Sequence, residues 1–405
     1  MKKVLKKTKK IISAVKFEKT KKILKKKVSF KTKKILKKEK TKKAVKKIIP
    51  TKKILKKTTK LIKTKKKIVN KVSKSEPKKG NSLKRYVGNP IIHPARNTYW
   101  ESTATFNPTA FIHDGKVHMI YRAVGVGDIS TLGYAKSKDG YNFSERNFKP
   151  IFIHKNEVLD FRDPVFYSSG GGWNGGAEDP RVTKIDDMLY MTYTAFNGWD
   201  SVRIGFTSIP LEDFLNKKWN WKKPVLISPP REIHKNWVIF PEKINGKFAI
   251  LHSISPEILI EYEKDLNSFD GNKFINSVHQ NHPNWKLRER GIRGIGGAPI
   301  KTKYGWLLFY HAMEPHEMRR YKLWAMILDS KNPGKILYRS KRPILEPDVF
   351  YENEGIKPGI VYSCGAVVKG EDLFVYYGGA DMVSCVATAN LNLFLKDLMK
   401  TGITK

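Results

Sequence analysis

Past residue 82 the chain breaks into short runs of aromatic and β-branched residues, each closed by a Gly, Asp or Asn turn, with little of the 3.6-residue periodicity of a surface helix. Five groups repeat one form: a strand, a turn, an aromatic strand and a third strand. The first runs from 109–112 through the Asp114-Gly115 turn and 117–123 to 131–136, ahead of Lys138-Asp139-Gly140. The second begins at Arg181 and passes through 188–193 to 203–207. The third holds Phe240-Pro241-Glu242-Lys243-Ile244, the Asn245-Gly246 turn and 248–252. The fourth comprises 297–301, Tyr304-Gly305, 306–311 and 322–328, and the fifth 365–369, 373–377 and 385–390. Groups of roughly 45 to 55 residues made of short strands predict the blades of a β-propeller around a central channel, an all-β fold.

Ahead of these groups the composition is different. Residues 1–80 hold 36 Lys and three Glu, so +33 of the formal net charge of +42 belongs to them. Thr-Lys-Lys-Ile-Leu-Lys-Lys recurs at Thr20, Thr32 and Thr51, and the apolar pairs Ile48-Ile49, Ile54-Leu55, Leu61-Ile62 and Ile68-Val69 fall close to heptad spacing. Self-repulsion predicts a disordered tail that becomes an amphipathic helix once an anionic partner screens the lysines. Nucleic acid bound through its phosphates, an anionic membrane or polymer surface, and a purely solvating or targeting role all fit. Phe17 and Phe30 are the tail's aromatic residues, too few for base stacking, so any nucleic-acid binding is expected to be sequence-blind. Residues 77–82 read as a linker between this tail, 1–80, and a domain of 81–405.

Two cysteines, Cys364 and Cys385, are too few for a disulfide scaffold or a zinc cluster and predict buried thiols in a reducing compartment. No apolar run reaches the ~18 residues of a membrane span, and the N-terminus lacks the apolar core of a secretory signal, which predicts a cytoplasmic protein. His113, His118, His279 and His282 have no carboxylate or cysteine at metal-ligand spacing, so no metal is expected. Ser168-Ser169-Gly170-Gly171-Gly172 reads as a flexible loop rather than a phosphate cradle, because no Lys-Ser or Lys-Thr opens a helix after it.

The richest stretch is Asn174-Gly175-Gly176-Ala177-Glu178-Asp179-Pro180-Arg181. Glycines permit close backbone approach, and Pro180 is expected to hold Asp179 in an extended conformation, with Glu178 pointing to the opposite side. The plain structural reading makes Glu178 and Arg181 a surface ion pair beside an Asp-Pro turn. Further polar residues recur where the strands begin or end: Asn107-Pro108, Tyr121-Arg122, Pro241-Glu242-Lys243, Tyr310-His311 and Gly379-Ala380-Asp381. A propeller gathers such positions at one funnel.

In this order the set resembles glycoside hydrolase family 130, the five-bladed β-propeller mannoside phosphorylases and related β-mannosidases. The resemblance runs from about Asn89 to about Leu395. It is carried by Phe106-Asn107-Pro108, Gly176-Ala177-Glu178-Asp179-Pro180-Arg181, Phe240-Pro241-Glu242-Lys243, Ala298-Pro299-Ile300-Lys301-Thr302, Gly305-Trp306-Leu307-Leu308-Phe309-Tyr310-His311 and Tyr376-Tyr377-Gly378-Gly379-Ala380-Asp381. It implies an inverting phosphorylase of β-mannosides that releases mannose 1-phosphate, with inorganic phosphate as co-substrate and no cofactor.

The resemblance further implies that Asp179 is the catalytic acid, its proton travelling through a sugar hydroxyl. A carboxyl group serves as an acid near neutrality when its surroundings raise its pKa. By the same resemblance Arg203, Lys243, Arg293 and His311 form a cationic phosphate site, and Asn107, Arg122, Glu352 and Asp381 hold the reacting sugar. The chain departs from the family at His234-Lys235-Asn236, at Ile292-Arg293-Gly294-Ile295-Gly296 and at Ala312. Hydrolytic relatives carry acidic bases where phosphate would sit, and Glu314 and Asp200 leave a β-mannosidase using water as the alternative. A non-catalytic glycan-binding propeller tethered by its tail is the third reading.

Overall fold

The computed structural model describes residues 83–154, 175–196, 202–279 and 291–403; the expectations for the tail, for Asp200, for His282 and for the Ser168 loop lie outside them. The chain divides into two units, Met1–Lys78 and Lys79–Lys405.

Within the second unit five antiparallel meanders follow one another. The first blade is Ala104–His113, Lys116–Val124, Ile129–Ser137 and Glu145–Arg146; the second is Gly175–Ile185, Met188–Phe196, Val202–Pro210 and Val225–Leu226. Val238–Ile239, Phe248–Ser253 and Leu259–Glu263 form the third. In the fourth, Ile292–Ile295 and Ile300–Thr302 both pair with Gly305–Ala312, which continues to Lys322–Leu328 and Ile336–Arg339. The fifth is Val361–Lys369, Asp372–Gly379 and Val383–Asn390, completed by Lys84–Arg85 from the start of the domain. The chain is therefore a five-bladed β-propeller whose first described strand closes its last blade.

Why the strands read as unbroken apolar runs follows from this geometry. A strand in the middle of a blade is covered on both faces, so its alternate side chains enter two different cores. Along Gly305–Ala312, Leu307 and Phe309 pack toward the fifth blade, while Trp306, Leu308 and Tyr310 pack toward the third. Along Asp372–Gly379, Leu373, Val375 and Tyr377 face the fourth blade and Phe374 and Tyr376 the first. Five such inter-blade cores hold the ring together, each buried aliphatic or aromatic side chain contributing about 2 kcal/mol. Cys364 and Cys385 are free and buried, Cys385 in the core between the fourth and fifth blades and Cys364 beside Ile360 and Tyr362.

Each innermost strand starts earlier than the sequence pattern predicts: at Ala104, Gly175, Val238, Ile292 and Val361 rather than at Thr109, Arg181, Phe240, Gly297 and Gly365. The cause is common to four blades. Pairing slips between Phe106 and Thr109, between Glu178 and Arg181, between Ile292 and Gly294, and between Tyr362 and Gly365. Residues at such bulges resemble turn chemistry in sequence, because Asn-Pro, Asp-Pro and Gly break the regular ladder. In the third blade the strand also ends before the predicted one begins. Phe240 to Ile244 is not strand, since Pro241 has no N–H to donate, and the paired segment is the preceding Val238–Ile239.

The closure is pinned by charge. Glu352, fully buried, accepts from Arg85 Nε (2.7 Å) and Nη2 (2.8 Å), from the Tyr377 hydroxyl (2.8 Å) and from the backbone N–H of Asp348 (2.9 Å). Removing Arg85 leaves that carboxylate buried without its cation, a loss of about 3 kcal/mol. We expect Arg85→Ala to lower the urea midpoint accordingly while leaving the KM for a β-mannoside unchanged. A normal midpoint with a raised KM would instead return Glu352 to the sugar site.

Candidate active site

Four side chains from separate parts of the ring are presented by left-handed backbone: Asn107 (φ +49°), Asp179 (+51°), Asn236 (+68°) and Asp381 (+52°). Asn and Asp tolerate this region better than other non-glycine residues. Asn107 and Asp179 stand at the bulges and precede Pro108 and Pro180, whose missing N–H groups interrupt the ladder there before it resumes at Thr109 and Arg181. The extended conformation expected of Asp179 is thus replaced by a left-handed one. The twist also brings Glu178 and Asp179 onto the same partner, where a regular strand would have parted them.

That partner is Arg122. Buried, it donates through Nη2 to Glu178 Oε1 (2.6 Å), through Nη1 to Asp179 Oδ1 (3.2 Å) and through Nε to Ser130 Oγ (3.0 Å), with the Phe106 ring centre 4.7 Å from its guanidinium carbon. Asn107 Nδ2 donates to the same Asp179 oxygen (2.8 Å). Lys235, half-buried, lies in the field of both carboxylates, and Asp381 pairs with Lys357 (3.0 Å) at the edge of the group.

These surroundings drive the two neighbouring carboxyls apart. Burial pushes Glu178 up, and Arg122 and Lys235 only partly offset it. Burial also acts upward on Asp179, but Arg122, Arg181 and the Asn107 hydrogen bond outweigh it and hold the carboxyl at about 2. The raised acid expected at Asp179 is therefore not what the unliganded site contains. Arg122 itself is raised: burial opposes its charge, and Glu178, Asp179 and Asp381 more than compensate.

Arg181 is buried too, so the surface pair with Glu178 is corrected. It donates to the carbonyls of Gly296 (2.8 Å) and Asp179 (2.8 Å) and to Asn236 Oδ1 (2.8 Å), tying the second blade to the third and fourth. Tyr362 donates its hydroxyl to Asn236 Oδ1 (2.7 Å) and stacks on His311, ring centres 4.0 Å apart. His311 accepts from the Ser363 N–H through Nε2 (2.9 Å), which places its proton on Nδ1. Burial and the Arg181 charge push its pKa down to about 3, so His311 is a neutral donor rather than the expected cation.

Of the remaining expected ligands, Arg293 is half-buried over the Tyr321 ring, and its Nε is buried without a partner. The other three make contacts of their own. Lys243 is exposed beside the Asn245-Gly246 turn, its ammonium 4.6 Å from the Phe248 ring centre. Arg203 stacks on Phe274 and spends its guanidinium on the Ser228 carbonyl. Glu352 serves the closure described above. Glu314, a candidate base for hydrolysis, is held with Glu317 and Glu346 around the buried Lys322 ammonium. Sequence reasoning missed Lys235, Asn236, Lys357 and Tyr362; Lys235 and Asn236 stood in the very stretch that departs from the family pattern. Four buried polar atoms here have no partner among the described residues: Asn107 Oδ1, Thr194 Oγ1, Arg293 Nε and His311 Nδ1.

The profile of glycoside hydrolase family 130, described as beta-1,4-mannooligosaccharide phosphorylase, matches residues 63–400. The chain is 41% identical over 317 residues to a 1,2-beta-oligomannan phosphorylase of Thermoanaerobacter sp. (strain X514), covering 75% of this chain and 96% of that protein. It is 36% identical to a beta-1,2-mannobiose phosphorylase of the same organism, covering 74% and 94%. The solved structure of the Listeria innocua beta-1,2-mannobiose phosphorylase with beta-1,2-mannobiose superposes with a TM-score of 0.58 at 25% identity, over 78% of this chain and 99% of that one.

A neutral His311 has a measurable signature. Its folded pKa of about 3 lies below the ordinary value of 6.5, so the unfolded chain binds the extra proton between those pH values, and this residue's contribution to stability falls as pH drops from 6.5 toward 3. We expect its ¹⁵N resonances to report a fixed Nδ1–H tautomer from pH 8 to pH 5. A titration midpoint near 6.5 would contradict the assignment.

Proposed function

This chain belongs to glycoside hydrolase family 130, and we propose that it is an inverting phosphorylase of β-mannosides in which Asp179 is the acid and Lys235 a principal phosphate cation. The observation that carries this reading is the buried group formed by Asp179, Asn107, Arg122 and Lys235, in which a carboxyl meant for proton transfer is surrounded by fixed positive charge.

In the reaction a phosphate oxygen attacks C1 of the mannosyl unit from the face opposite the leaving group. The C1–O bond breaks, its electron pair stays on the leaving oxygen, and that oxygen takes a proton. The products are α-mannose 1-phosphate and a mannoside shorter by one unit. Phosphate brings its own charge and needs cations rather than a base, which Lys235 and Arg293 supply, with the His311 Nδ1–H as a neutral donor. Asn107, Arg122 and Asp381 hold the sugar.

The low pKa of Asp179 acquires a role in this scheme. An entering phosphate held by Lys235, one of the cations that depress the carboxyl, brings negative charge close to it, and negative charge nearby raises a carboxyl. The anion therefore moves Asp179 toward the protonated form that the reaction uses. Hydrolysis is less well supported, because Glu178, Asp381 and Glu314 are each bound to a cation and so are poor activators of water.

Incubating the chain with β-1,2-mannobiose is expected to yield mannose 1-phosphate only when phosphate is present. Asp179→Asn should lower kcat by about 10³-fold with the fold intact. Lys235→Ala should raise the KM for phosphate more than that for the mannoside, and Lys243→Ala should change neither. Free mannose formed regardless of phosphate would sink phosphorolysis.

A further inference from the structure

A cavity of about 420 Å³ opens between the fifth and first blades, within the usual size range of small-molecule sites. Tyr86, Tyr141 and Phe143 wall it, joined by Pro90, Asn142 and Ser144. The Asp139 turn that carries the wall is fixed by the N–H groups of Tyr141 (2.9 Å) and Asn142 (2.8 Å), far along the strands from Asn107 and Asp179.

The rings are braced from behind. Tyr141 packs on the buried Phe374 with ring centres 5.0 Å apart, and Phe143 meets Tyr376 edge-on at 5.8 Å. Tyr376 donates its hydroxyl to the Gly140 carbonyl (2.9 Å), and Tyr86 leans against Tyr141 at 4.5 Å. These contacts leave little side-chain freedom to lose when a ligand arrives. All three rings are half-buried, so they also present surface to solvent. The hydroxyls of Tyr86, Tyr141 and Ser144 make no hydrogen bond to other described residues.

None of the cavity's lining residues is charged, which disfavours phosphate, nucleotides and peptide carboxylates as ligands. Rigid aromatic faces edged by free hydroxyls suit a neutral ligand with apolar C–H faces and a hydroxyl periphery, which is the surface of a sugar ring. We propose that this cleft is a second, non-catalytic binding site for a neutral β-linked mannooligosaccharide. The choice of mannose rests on the phosphorylase reading; the carbohydrate chemistry rests on the cleft alone.

Calorimetry of the full-length chain carrying Asp179→Asn, titrated with β-1,2-linked mannohexaose, tests this. We expect two binding events, one at the active site and a second that Tyr141→Ala weakens more than tenfold and that Ser144→Trp, which fills the cleft from an exposed position, weakens likewise. Phosphorolysis of mannobiose by chains with Tyr141→Ala or Ser144→Trp alone should stay within twofold of the parent. A single event in the parent, or two events that both survive the two changes, would overturn the proposal even if the parent chain makes mannose 1-phosphate. Loss of one of two events in both variants would sustain the cleft even if that product never forms.

Discussion

The Arg122 guanidinium, clamped between two adjacent carboxylates, is the interaction on which this site depends. A buried cation that lost its partners would cost several kcal/mol, and so would either carboxylate left without it. The three groups are therefore stable only together, and Asn107, Lys235, Lys357 and Asp381 extend the same balance outward. The arrangement fixes more than charge. With Glu178 raised and Asp179 lowered, the site has two chemically different acids built from neighbouring residues of one strand.

That pairing is possible only because the innermost strands are irregular. In a regular strand successive side chains face opposite ways, and Glu178 and Asp179 could not share one arginine. The bulge and the left-handed turn at Asp179 remove this restriction, and the same device turns Asn107 toward it from the neighbouring blade. Strain of this kind persists where the surroundings over-determine it. Here they do so through contacts between blades: the Val182 N–H donates to Thr109 Oγ1, Thr183 Oγ1 to the Ile239 carbonyl, and Arg181 to the Gly296 carbonyl. The catalytic geometry is thus a property of the closed ring, and the Arg85–Glu352 pair that seals it bears on the site without touching it.

Much of this was legible in the chain. Five groups of strands and the motif around Asp179 follow from spacing and from family resemblance, which assigns Asn107 and Arg122 to the sugar; that both also contact Asp179 comes from the structure. What failed to show was which end of a blade a residue occupies. Lys235 and Lys243 flank the same short strand, one before it and one after. In the first two blades the site residues open the inner strand and the turn residues close it, so Lys235 falls at the site and Lys243 beside the Asn245-Gly246 turn. Glu352 was unreadable for another reason. Its partner Arg85 lies 267 residues away along the chain, and only ring closure brings them together.

His311 and Asp179 mark a deeper limit, because sequence names a side chain without its charge. Both lie beside Arg181 in a fully buried setting, yet the same cation acts on them in opposite senses. Burial first and this charge second drive the histidine to its neutral form, while Arg122 and Arg181 together outweigh burial and keep the aspartate ionised. A site built on that field starts with an ionised acid, a neutral imidazole and a surplus of cationic groups. Such a site has most to gain from an anionic co-substrate, since the anion relieves repulsion among the cations and returns a proton to the carboxyl in one step. Water, which brings no charge, would leave Asp179 ionised. The preference for phosphate over water is in this sense written into Arg122, Arg181 and Lys235 together, rather than into any one phosphate ligand.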